Sequence, residues 1–77
     1  MIKGKAMYTV WAQHYGERAQ KMEPKFKLKW HAHRFMLQQG EILKGYNKST
    51  GMVDGCFVVF GDEGIFKTMM WVGKCEK

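Results

Sequence analysis

The chain has 77 residues, 45% of them hydrophobic, 14% aromatic and only one a proline, which excludes a disordered or low-complexity polymer and defines one small domain that buries roughly 60% of its unfolded surface. The formal net charge is +6, and all of the excess lies in residues 1–34, which carry eight of the thirteen Lys/Arg against only Glu17 and Glu23. No apolar run reaches the roughly 20 residues that span a bilayer, MIKGKAMYTVWAQ lacks a signal peptide's apolar region and cleavage site, and two cysteines without a CxxC spacing argue against a disulfide scaffold or a zinc knuckle, so a cytoplasmic protein with reduced thiols is expected.

Residues 5–12, KAMYTVWA, are rich in β-favouring types and predict a first strand, with Met7, Thr9 and Trp11 on one face and Ala6, Tyr8 and Val10 on the other. Residues 13–23 are polar and without period; they read as a loop, with a helical turn available at Glu17–Met22. Residues 24–40, PKFKLKWHAHRFMLQQG, carry two signals. From Lys25 to His33 apolar and basic residues alternate as in a strand. Pro24 at a first helical position, Gly40 at a C′ site and the helix-favouring Arg34–Gln39 instead bracket a helix. We adopt the helix, with Phe26, Trp30, His33 and Leu37 as its inward stripe, widened by Ala32 and Met36, and with Leu28 and Phe35 left outside it.

Residues 41–46 read as a short strand and 47–51 as a turn-rich loop. Residues 52–60, MVDGCFVVF, are apolar on both faces after Asp54 and predict a central strand. Gly61–Gly64 is a tight connection and 65–72 the last strand. The expected fold is α+β: a β-α-β-β-β order, with a four-stranded, mainly antiparallel sheet and one helix (about 24–39) on one face. The other face keeps Met, aromatic and Val side chains near solvent, where they can bind a partner or form a homodimer.

Catalytic patterns are missing. The carboxylates make no spaced pair with a histidine or with each other on a rigid element, Asp62–Glu63 fall in a turn, and GxSxG, HExxH and Walker loops do not occur. Cys56 reads as a small core hydrophobe, whereas Cys75, near the end, is expected to be exposed. His31 and His33 share a face only on a strand, so on a helix they cannot chelate a metal together. No enzyme activity, metal or cofactor is expected.

The basic residues carry the functional reading. Arg18, Lys21, Lys25, Lys27, Lys29, His31 and Arg34 supply the charge density that phosphate neutralisation requires, and Tyr8, Tyr15, Trp30 and Phe57 are candidates to stack on bases. Gly55–Phe60 also overlaps the end of the RNP1 consensus of RNA-recognition motifs: Phe57, Val58 and Phe60 match, while Gly55 and Cys56 replace an aromatic and a small residue. The chain leaves no room for a second helix between its last two strands, so the overlap does not assign the family. The expectation is a small non-enzymatic module that contacts an acidic partner, foremost RNA or single-stranded nucleic acid, through a basic helix and the loop before it. The alternative is a protein-interaction or inhibitor module, such as a host-takeover protein of a phage or mobile element, docking by its sheet face or a strand edge.

Overall fold

A computed structural model describes residues 7–47, 49–61 and 64–75. Expectations placed on Lys5–Ala6, Lys48, Asp62–Glu63 and Glu76 lie outside the described residues. The chain runs β1 (Tyr8–His14), β2 (Gln20–Lys21), α1 (Lys29–Lys44), β3 (Thr50–Val53), β4 (Cys56–Phe60) and β5 (Phe66–Lys74). The strands form one five-stranded sheet in the order β2-β1-β5-β4-β3, antiparallel at every pairing. The class is α+β with one helix on one face, as the sequence predicts, with five strands in place of four: β2 is new, the strand expected at 41–46 is absent, and 52–60 supplies parts of two.

β1 and β5 form the longest ladder, from Tyr8↔Lys74 to His14↔Thr68, so the first and last strands meet at the middle of the sheet. Their alternation separates two faces. Val10, Phe57, Val59 and Met70 point at α1 and close the core with Met36. Thr9, Trp11, Val58, Met69 and Trp71 fall on the opposite face by register.

The segment 24–40 resolves into both of its signals, one after the other. Phe26 pairs with Tyr8 as an isolated antiparallel bridge, with reciprocal backbone hydrogen bonds of 2.7 Å, so the alternating part does lie along the sheet edge. The helix begins only at Lys29, with Leu28 as its extended N-cap. Pro24 is therefore not a first helical residue; it follows a cis peptide in the loop between Met22 and Phe26. The polar stretch 13–23 likewise forms a hairpin to β2 in place of a helical turn.

Gly40 does not stop the helix. A Cβ on it would sit 2.8 Å from Phe57 Cε1, so its lack of a side chain lets the helix lie directly on that ring. The helix continues to Lys44, and Glu41–Lys44, read as a strand, are its last turn. Asn47 Nδ2 then donates to the Leu43 carbonyl at 2.9 Å, satisfying one of the end carbonyls.

The helix phase also differs from the predicted stripe. The inward positions are Ala32, Phe35, Met36, Gln39, Gly40 and Leu43, whereas Trp30, His33 and Leu37 are exposed. Small Ala32 and Gly40 allow close approach to the sheet, and the Trp30 ring and the polar His33 would hold it away. Phe26, assigned to that stripe, is a sheet-edge residue whose ring packs on Phe35 at 5.6 Å.

Residues 52–60 are not one strand. Asp54 (φ 50°) and Gly55 (φ 81°) form a turn with both residues left-handed, which divides the run into β3 and β4. Asp-Gly is the sequence that favours such a two-residue hairpin, because its twist matches that of the strands. The middle position of the sheet passes to β5. The cysteines exchange expectations: Cys56 is half-buried and Cys75 is buried, and both are free thiols.

Candidate nucleic-acid interface

The basic residues follow one edge of the molecule. Arg18 lies in the β1–β2 connection, and Lys21 on β2 stands opposite Trp11. Lys25 and Lys27 flank Phe26, opposite Tyr8. From the level of Trp11 to that of Tyr8 is three strand residues, about 10 Å. Lys29 and Arg34 continue the basic surface onto the exposed side of α1. All six of these cationic side chains are exposed.

The edge is held in place by β1. Thr9 is fully buried, and its hydroxyl is shared between the carbonyls of Met22 (2.6 Å) and Pro24 (3.0 Å). The Met22 amide donates to the Val10 carbonyl at 2.8 Å. The loop that carries Lys25 therefore folds over the Thr9 corner of the sheet.

Among the described residues the single ion pair is Lys44–Glu41 at 3.2 Å, three residues apart on the helix. None of Arg18, Lys21, Lys25, Lys27, Lys29 and Arg34 forms an ion pair with a described carboxylate. The first turn of α1 holds no acidic residue and Leu28 makes no side-chain cap, so the positive end of the helix adds to the same field.

His31 and His33 are both helical, so they diverge and cannot share a metal. His33 is exposed, while His31 is half-buried with its ring 4.1 Å from that of Trp30. Among the described residues, no cluster of three His, Cys, Asp or Glu side chains could hold a metal ion, and no helix is long and apolar enough to cross a membrane.

The four stacking candidates separate. Phe57 is 3% exposed and lies under α1 against Gly40, so it cannot stack on a base. The RNP1 overlap is thus out of phase: on β4 it is Cys56, Val58 and Phe60 that face away from the helix. Tyr8 shares the helix-side register of Val10 and is half-buried. Tyr15 and Trp30 are exposed, at 65% and 58%.

Residues missed as candidates lie on the face away from the helix. Trp11 and Trp71 are direct cross-strand partners there. Phe60 and Phe66 pair on the same side, and Phe66 meets the Tyr15 ring edge-on at 5.7 Å. The signal was period-2 alternation in β5, which became readable only once its register against β1 was known. On the helix side, a cleft of about 350 Å³ opens between β2 and the C-terminal half of α1, with Met22, Ile42, Leu43 and Met70 among its walls and Arg18 and Lys21 beside them.

Compared with family models, with curated proteins and with solved structures, the chain matches none.

Proposed function

We propose that the protein is a small, non-enzymatic, cytoplasmic binding module whose partner is nucleic acid, RNA or single strands, held by the basic edge and the start of α1. The observation that carries this reading is the exposed cluster Arg18, Lys21, Lys25, Lys27, Lys29 and Arg34, none of which pairs with a described carboxylate while the one ion pair among the described residues is Lys44–Glu41. Such a cluster attracts polyphosphate through counterion release. His31 lies two residues beyond Lys29, its ring 4.1 Å from that of the exposed Trp30.

The test is electrophoretic mobility shift with mixed-sequence RNA and DNA over a salt series. Binding should weaken steeply as salt rises, and Lys27→Glu with Arg34→Glu should abolish it. Absence of a shift at low salt would rule the reading out.

A second reading is a protein-interaction or inhibitor module, of the kind a phage or mobile element uses in host takeover. It is favoured by the apolar sheet face and by the free edge of β3, where Met52 and Val53 are 47% and 48% exposed. It predicts a specific protein captured in a pull-down that withstands high salt and nuclease, or a homodimer detected by light scattering.

A further inference from the structure

No described helix or strand lies over the sheet face away from α1; the Met22–Pro24 loop covers it at Thr9, and Val58 within it is 3% exposed. By register Trp11, Phe60, Phe66, Met69 and Trp71 lie on it, all half-buried, and the exposed Tyr15 ring meets Phe66 at its end. No described residue whose register places it on this face is a carboxylate. Its β2 border is basic: Lys21 stands directly opposite Trp11. Lys25 follows Pro24, whose carbonyl accepts the Thr9 hydrogen bond at that corner.

We infer that this face is a stacking platform for single-stranded nucleic acid, with bases laid on the Trp11–Trp71 pair and phosphates along the Lys21–Lys25 border. The inference rests on the proposed nucleic-acid reading and specifies the strandedness of the partner and the rings that hold it. The indole of Trp11 is already fixed. Its Nε1–H donates to the Lys74 carbonyl at 3.2 Å, and the ring edge lies over Gly73, where a Cβ would approach it to 3.1 Å. The one polar atom of the ring is thereby occupied by the sheet, and a fixed π-surface accepts any base without reading its edges. A basic border next to aromatic rings is complementary to a single strand, whose phosphates and unstacked bases lie side by side. A duplex keeps its bases stacked on one another and offers only its phosphates.

A second copy of this chain fits the face less well. With a net charge of +6 on each protomer, two such basic borders would be brought together.

The experiment uses the protein carrying Trp30→Phe, so that the tryptophan emission comes from Trp11 and Trp71 alone, with the unsubstituted protein titrated beside it for affinity. It is titrated with oligo(dT) and oligo(U) of about twenty nucleotides, a length that covers a typical site of this kind, and with a duplex of the same length, in low and high salt. The expected result is salt-sensitive binding of the single strands, quenching of the sheet emission, and preference over the duplex. Trp11→Ala and Trp71→Ala should each weaken single-strand binding about tenfold or more, and the quenching measurement keeps the question open to refutation if either variant fails to fold. Salt-sensitive binding with unchanged sheet emission, or equal affinity for the duplex, overturns the platform and leaves the basic-edge reading standing. No binding of any probe at low salt by the unsubstituted protein overturns both. A dimer that light scattering detects and whose formation alone quenches Trp11 and Trp71 overturns the platform in favour of self-association.

Discussion

From Thr50 to Lys74 the chain folds back on itself through connections of two and five residues, and its strands lie in sequence order. From Tyr8 to Lys44 it builds its half differently: β1 must find β5 across most of the chain, and the edge beyond it is a two-residue strand, a detour and a single bridge. The meander half is close to electrically neutral, and the other half carries the basic cluster. The comparison shows where the molecule has surplus charge and irregular backbone, and they coincide. A near-neutral meander supplies the support, and the irregular edge displays cations that pair with no described carboxylate. Loops on a firm scaffold are where binding groups are ordinarily placed.

The largest break in this arrangement should come from Met36→Ala. Met36 is fully buried and reaches Val10 of β1 and Phe57, Val59 and Met70 of the meander in one cluster, so it joins the two halves. Emptying that site should cost about 2–5 kcal/mol, a large part of the roughly 4–12 kcal/mol that a domain of this length possesses. Thermal melts should show a midpoint lower by about 10 °C or more. A loss below about 1 kcal/mol would mean that the helix is not what holds the halves together.

Thr9→Val should disturb only the basic half. The replacement keeps shape and strand preference and removes the hydroxyl that the Met22 and Pro24 carbonyls share. Leaving those acceptors unsatisfied in a buried corner should cost about 1–3 kcal/mol. In hydrogen exchange, the Met22 and Phe26 amides, which bond to the Val10 and Tyr8 carbonyls, should lose protection first. The Phe60 amide, bonded to the Ser49 carbonyl, should not. Uniform loss in both halves would contradict the picture of a separately tethered edge.

How much of this was legible follows from which signals are local. The α+β class and antiparallel pairing come from short-range residue preference and stand; the first strand, expected over residues 5–12, is found at Tyr8–His14, while the meander is built from other segments than expected, since 41–44 is helix and 52–60 is two strands. The boundaries failed where a residue's role is tertiary. Gly40 is a helix-stop signal in isolation and a packing requirement beneath the Phe57 ring in the fold. Pro24 suits a helix start, yet the Tyr8–Phe26 bridge keeps the chain in the sheet for several residues more. Asp54–Gly55 was a local turn signal, overlooked because the surrounding apolar run resembled one strand. For the candidate site, the charge cluster was visible by composition, while the Trp11–Trp71 pair depended on a register that no single segment encodes.

The smallest effect distinguishes two neighbouring residues. Met36 and Leu37 are adjacent, both are good helix formers, and the stripe of Phe26, Trp30, His33 and Leu37 placed Leu37 nearer the middle of the core. In the fold Met36 is 0% exposed and Leu37 is 41% exposed, on the outer side of the helix with Trp30 and Arg34. Leu37→Gln should therefore change stability by no more than about 0.5 kcal/mol, a midpoint shift of about 4 °C at most. Gln has nearly the helix propensity of Leu, so the substitution isolates burial from backbone preference. Measured beside Met36→Ala in the same melts, it tests the phase of the helix directly. If Leu37→Gln cost about 2 kcal/mol or more, the helix would be rotated toward the other stripe. Trp30 would then be drawn against the sheet and no longer stand among the lysines.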